Sequence, residues 1–297
     1  PPGIKEADIK SKSVHCSAAG SGFSCPRKGV SCRVAAAVAA SAAVLLLPGC
    51  VVDHFLFQPP GSAAAARTVP AEGSGRLTVE PGVEIAFRHL PAPPGGETIL
   101  YSHGNAEDLG SMRYLPGIFA ANGYGVMVYD YEGYGGSDGS PSEENCCRDI
   151  EAAYRYLTET RGVPPEQIVI YGFSLGTGPS CRLAEQVEAK ALVLEAPFTS
   201  VLDVAGMGWL PFDRFPNLKR IGNVKMPVLI LYGDRDRVVP PEHGAALYEA
   251  ANPPKARYVV PGAGHNNLRM VAGQEFWKNL RLFLDGQGRA ARNAEEK

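Results

Sequence analysis

From about residue 76 onward, short apolar runs alternate with longer amphipathic stretches. Residues 76–80 and 83–90 alternate apolar and polar positions around Pro81-Gly82, which predicts an antiparallel hairpin. Residues 98–101, 126–129, 167–171, 191–194, 228–232 and 257–260 read as strands, and 126–129 is a nearly continuous apolar run, as a strand buried on both faces requires. Helical spacing fills 111–122, which ends at Gly123, and 142–160, where Ser142 is the cap and Asn145 the third helical position. Further helical stretches lie at about 177–188, 241–251 and 269–285. Strands alternating with helices predict an α/β architecture with a mostly parallel, doubly wound sheet. No internal repeat interrupts it.

Two irregular regions stand out. Asp130-Tyr131-Glu132-Gly133-Tyr134-Gly135-Gly136-Ser137 is too glycine-rich for regular structure and is expected to pack as a loop, with Asp130 satisfying backbone donors. The stretch between 195 and 228 carries Met207, Trp209, Leu210, Phe212, Phe215 and Pro216. It has room for one or two short helices and a flap, not for a cap domain. Its aromatics either pack the flap onto the body or line an apolar acyl or alcohol pocket, for which Phe173, Trp209 and Phe212 are the candidates.

The N-terminal region follows another pattern. Residues 34–47 are apolar or small apart from Ser41, and Arg27, Lys28 and Arg33 precede them. A positive region before an apolar run of about 14 residues reads as an export signal, shorter than the ~20 residues that span a bilayer. Leu46-Leu47-Pro48-Gly49-Cys50 resembles a bacterial lipobox, making Cys50 the candidate lipidation site. The expectation is a membrane-anchored lipoprotein of the cell envelope or an exported protein; an uncleaved signal anchor and an unmodified Cys50 are the alternatives. Residues 1–33 read as a disordered or mis-called head with a start near Val14 or Val30. The expected order is head 1–33, signal and lipobox 34–50, tether 51–75, α/β domain 76–286 and polar tail 287–297.

Charge and cysteine content exclude several functions. Taking the six Lys+Arg and two Asp+Glu of residues 1–49 from totals of 29 and 31 leaves a net charge of −6, with no basic run to attract nucleic acid. The glycines after Asp130 form neither G-x-G-x-x-G nor a lysine-bearing phosphate loop, so no nucleotide is expected. Cys146, Cys147 and Cys181 are read as buried or half-buried small hydrophobes, and no spacing suggests zinc. Neither metal nor cofactor is called for.

Chemistry concentrates at four places. Gly172-Phe173-Ser174-Leu175-Gly176 follows a strand-like run and precedes a helical one, the pattern of a nucleophile elbow. His103-Gly104-Asn105-Ala106 lies upstream; Gly233-Asp234-Arg235-Asp236 and Gly262-Ala263-Gly264-His265 lie downstream. Serine, acid, histidine is the chain order of an α/β-hydrolase triad. Ser174 is the candidate nucleophile and needs a base. His15, His54, His89, His103 and His243 belong to the head, tether region, hairpin, upstream motif and a helix start, leaving His265. Asp236 is the candidate acid, with Asp234 the alternative. Glu195 is a further candidate, read instead as a partner of loop backbone or of Arg182. The backbone N–H groups of Leu175 and Asn105, or of Ala106 in place of Asn105, would hold an oxyanion.

With these motifs in place, the chain resembles the α/β-hydrolase superfamily, above all the eukaryotic α/β-hydrolase-domain depalmitoylating thioesterases and their bacterial relatives. Ser102-His103-Gly104-Asn105-Ala106-Glu107-Asp108-Leu109-Gly110 and Tyr129-Asp130-Tyr131-Glu132-Gly133-Tyr134-Gly135 carry the likeness, as do residues 232–239 and 262–266. It covers roughly 82–284. The resemblance implies an α/β-hydrolase fold with a short flap and a triad of Ser174, Asp236 and His265. It also implies a serine hydrolase acting on ester or thioester bonds of a small-molecule or lipid acyl substrate. Phe173 stands where those relatives often carry glutamine, so their acyl preference is not carried over. A serine aminopeptidase-like hydrolase and a catalytically idle envelope lipoprotein are the alternative readings.

Overall fold

The computed structural model describes residues 56–60, 72–208 and 213–286. The calls on the head, the signal and lipobox, and the polar tail lie outside the described residues, as do most of residues 51–75. Chain contacts divide the protein into residues 1–47 and 48–297, and every described residue belongs to the second unit.

Eight strands form one sheet: β1 (Ser74–Glu80), β2 (Val83–Leu90), β3 (Thr98–Ser102), β4 (Gly125–Tyr129), β5 (Ile168–Phe173), β6 (Ala191–Glu195), β7 (Val228–Gly233) and β8 (Lys255–Val260). Their spatial order is β1-β2-β4-β3-β5-β6-β7-β8. The β1–β2 and β2–β4 pairs are antiparallel and all others parallel. Both faces of the central strands are covered, and side-chain parity separates them. Leu100, Met127, Ile170, Leu192, Leu194 and Ile230 face one core; Ile99, Val128, Val169, Tyr171, Val193 and Leu231 face the other. That explains the unbroken apolar runs of these strands.

The helices are α1 (Leu115–Ala121), α2 (Glu143–Arg155), α3 (Thr177–Ala184), α4 (Val201–Val204), α5 (Asn217–Arg220), α6 (Pro241–Ala250), α7 (Leu268–Ala272) and α8 (Gln274–Leu284). Ser142 caps α2 by accepting from Asn145 N at 3.1 Å. Three helical expectations are corrected. The expected 142–160 helix continues beyond Arg155 as a π-helical turn. The one at 177–188 stops at Ala184. The one at 269–285 is two helices, because Gly273 adopts φ +55° between them. Within the flap region, α4 and α5 are the short helices that its length allowed.

The sheet order fixes where a site can form. From β3 the chain steps outward to β4, then returns past β3 to lay down β5 on its other side. The C-terminal ends of β3 and β5 therefore open a crevice at a topological switch point, where doubly wound sheets bind their ligands. Ser102 and Gly172 are register partners at its floor.

His89 on β2 is buried, its ring edge-on to Tyr156 and its Nε2 without a hydrogen-bond partner. Burial, with Arg161 nearby, pushes its pKa down to about 4 from 6.5. The unfolded chain binds this proton at the ordinary value. The stability contributed by the neutral ring is thus complete above pH 6.5 and is lost as pH falls towards 4. His89→Leu should shrink the drop in urea-unfolding stability between pH 7 and pH 4 by as much as ~3 kcal/mol, at about 1.36 kcal/mol per pKa unit.

Candidate active site

β5 delivers Ser174 into a turn that few side chains tolerate. Its φ is +49°, in the left-handed region that penalises residues bearing a Cβ. Glycines on either side make the turn possible. A Cβ on Gly172 would stand 2.6 Å from Gly176 O, and one on Gly176 would collide with the Ser102 carbonyl. The chain reverses from β5 through a 3₁₀ turn (Ser174–Gly176) directly into α3, leaving the hydroxyl on the crest. Thr177 Oγ1 donates to Ser174 O at 2.7 Å and closes the turn from below.

His265 arrives from the loop after β8. Its Nε2 lies 2.8 Å from Ser174 Oγ, and its Nδ1 2.7 Å from Asp236 Oδ2. An ionised carboxylate only accepts, so Nδ1 donates and Nε2 is left to receive the serine proton. The other oxygen of Asp236 accepts from Val238 N and Val239 N, both at 2.9 Å, which locks the buried carboxylate towards the ring. Asp234 does a different job: it accepts from Gly262 N at 2.6 Å and ties the β7 turn to the β8 turn.

The loop after β3 forms the facing wall. Gly104 N donates to Glu107 Oε2 at 2.7 Å, and Tyr131 OH donates to His103 O at 2.8 Å. Both amide atoms of the Asn105 side chain are engaged. Nδ2 donates to Leu56 O at 2.7 Å, while Oδ1 accepts from Tyr134 OH at 2.7 Å and Gln58 N at 2.9 Å. Leu175, the other expected oxyanion donor, lies buried in the turn after Ser174. Phe173 is buried too; its ring is 5.5 Å from that of His265 and packs against the Gly104 backbone.

Beneath this loop, His103 Nδ1 donates to Gly104 O at 2.7 Å, with Nε2 3.9 Å from Asp130 Oδ1. Burial pushes His103 down to about 4, and burial raises Asp130 to about 7 against the pull of the Gly136 and Leu109 N–H groups. Those two donors, at 3.2 and 2.7 Å, are the backbone partners expected of Asp130. Glu107 is raised mainly by burial.

Glu195 requires a correction. Its partner is not Arg182, which lies 3.8 Å from Glu185. Glu195 Oε1 is 3.3 Å from Arg269 Nε, and its Oε2 accepts from Tyr171 OH at 2.6 Å. Arg269 also donates to Tyr101 OH at 3.1 Å, and the Tyr101 and Tyr171 rings stack at 5.2 Å. Arg269 sits on α7, just after the His265 loop, so this buried cluster ties that loop to the ends of β3, β5 and β6. Sequence reasoning missed Arg269, because nothing local marks a lone arginine on a helix as the partner of a strand residue.

Trp209, Phe212 and Cys50 lie outside the described residues. Among the described residues, no three His, Cys, Asp or Glu side chains converge as metal ligands do, and no helix is long and apolar enough to cross a membrane. Cys146 and Cys181 are buried and Cys147 half-buried, all as free thiols. A cavity of about 690 Å³ opens beside the start of α2, but its lining includes Cys147, Arg148, Arg182 and Arg220 and none of the three aligned side chains.

Comparison with known proteins matches this geometry to described families. The profile of the family described as serine aminopeptidase, S33, matches residues 94–212, and that of the alpha/beta hydrolase fold matches 195–268. Alpha/beta hydrolase domain-containing protein aho-3 of Caenorhabditis elegans is 41% identical over 207 residues, covering 68% of this chain and 61% of that protein. Human alpha/beta hydrolase domain-containing protein 17B is 40% identical over 208 residues, covering 68% of this chain and 72% of the relative. The chain thus spans less than two thirds of the nematode protein. Among solved structures, the Pyrococcus furiosus esterase Pf2001 superposes with a TM-score of 0.61 at 21% identity, covering 72% of this chain and 90% of the esterase.

Two substitutions test the construction of the site. Gly176→Ala should cost about 1–3 kcal/mol, the usual penalty of overpacking, and lower the melting temperature accordingly. Arg269→Ala strands the Glu195 carboxylate, which is 2% exposed, and should cost about 3 kcal/mol in urea unfolding. The double variant Arg269→Met/Glu195→Gln should recover most of that loss, since position 195 then carries no buried charge.

Proposed function

The chain belongs to the family of α/β-hydrolase domain-containing proteins, and on that premise we propose that it is a serine hydrolase of carboxylic ester or thioester bonds in acyl substrates. Ser174 Oγ attacks the acyl carbonyl carbon while His265 Nε2 takes its proton; Asp236 holds the imidazole in the tautomer that can accept it. The Leu175 and Asn105 N–H groups stabilise the charge that develops on the carbonyl oxygen. Such a donor is worth about 10²–10³ in rate. The imidazolium then protonates the departing alcohol or thiol. Water, activated by the same nitrogen, releases the acyl group and restores Ser174.

One observation carries this reading: the unbroken chain Ser174–His265–Asp236, at 2.8 and 2.7 Å, on a serine held at positive φ. The serine aminopeptidase profile gives a rival, in which an acidic side chain would read the substrate amine. Glu107 and Glu195 flank the site, but Gly104 N already occupies one, while Tyr171 and Arg269 occupy the other. This favours an acyl ester over an amino-terminal peptide. Lipidation at Cys50 would place the same site beside a membrane.

Hydrolysis of p-nitrophenyl esters from acetate to palmitate by the full chain should fall by about four orders of magnitude or more in Ser174→Ala. A fluorophosphonate should label the parent chain and not the variant. Amino-acid p-nitroanilides should be turned over poorly; preferential cleavage of these would replace the esterase reading with the peptidase one. A parent chain inert to esters and fluorophosphonate alike would overturn both.

A further inference from the structure

The segment that leads into the folded body is built into the wall of the site. Residues 56–60 lie against the body, and Phe57, 3% exposed, belongs to the larger of the two cores. Its ring meets that of Phe215 edge-on at 6.3 Å. Phe215 in turn fills the space over Gly178, where a Cβ would collide with its ring. Gly178 lies in α3, the helix that begins after the Ser174 turn. On the other side, the Leu56 carbonyl and the Gln58 N–H bracket the Asn105 carboxamide.

The chemistry of that bracket is specific. The Leu56 acceptor and the Gln58 donor, two residues apart, are matched by the two ends of a single amide. Aspartate could not donate to Leu56 O, and serine could not span both groups. Since Tyr134 OH also reaches Oδ1, the whole hydrogen-bonding capacity of the Asn105 side chain, apart from one N–H, goes into holding Asn105 in place.

We propose that residues 56–60 act as a positioning strap: by clamping the Asn105 side chain, they aim the Asn105 N–H at the substrate oxyanion. Loss of the strap leaves the triad assembled and an oxyanion donor misaligned. This rests on the Ser174 hydrolase reading above, and it makes the link between head and body part of the catalytic apparatus.

The test uses the full chain with p-nitrophenyl butyrate, a trifluoromethyl ketone that forms a tetrahedral adduct with the serine, and thermal melting. Gln58→Pro removes the N–H that Asn105 accepts at a residue whose side chain is exposed, and proline already follows at position 59; the melting temperature reads any cost of the ring's constraint on the backbone of residues 57 and 58. The expected result is a kcat about tenfold to a hundredfold lower, KM within about threefold, and ketone affinity reduced in parallel with kcat/KM. The melting temperature should stay close to that of the parent chain. Phe57→Ala should show the same split of kcat from KM, at a melting temperature lowered by the lost core packing, and Phe57→Leu should restore most of both by refilling the space beside Phe215.

A folded Gln58→Pro chain with kcat within about twofold of the parent overturns the strap. So does a loss of kcat with ketone affinity unchanged, because the oxyanion donor would then be intact. If the parent chain itself neither reacts with fluorophosphonate nor hydrolyses the ester, the underlying hydrolase reading fails, and that result is distinct from either of these.

Discussion

Gly176 approaches the carbonyl of Ser102 so closely that no side chain could stand between them. That contact brings the end of β3 against the turn after β5, and everything else at the site is arranged around it. Because the two backbones touch, the Asn105 loop and the Ser174 hydroxyl share one crevice. Ser174 keeps its positive φ because the chain has no other way to leave β5 and enter α3 in so little space. Rigid neighbours maintain the strain, as expected where a fold over-determines a local conformation.

Around this contact the protein uses few charges and many aromatic hydroxyls. Tyr131 and Tyr134 reach the β3 loop from one side, while Tyr101 and Tyr171 receive Arg269 and Glu195 on the other. A tyrosine fills core volume with its ring and satisfies a polar partner with its tip. The residues that aim the site are thus also residues that hold the core together. The segments that follow β3, β5, β7 and β8 carry Asn105, Ser174, Asp236 and His265 respectively.

Much of this could be read from the sequence because the decisive signals are local. The apolar runs of β3 to β7 reflect burial on both faces, and Gly172 and Gly176 announce a turn that tolerates no Cβ. The order of Ser174, Asp236 and His265 pointed to the same three side chains that the structure brings within hydrogen-bond reach. What escaped is long-range. Phe57 and Leu56 lie in a stretch with no periodicity, and their partners, Phe215 and Asn105, are far away in the chain. The Arg269–Glu195 pair joins a helix to a strand across the fold. At Gly273, helical spacing continues straight through a residue whose backbone breaks the helix, so composition alone gave no boundary.

The bond between Ser174 and His265 spans 91 positions of sequence. A ribosome therefore finishes the elbow and its helix long before the imidazole that would activate the hydroxyl exists. Until the last strand has been added and its loop closes over β5, the nascent protein carries an ordinary alcohol. On the hydrolase reading proposed above, any fragment ending short of His265 lacks the base that Ser174 needs.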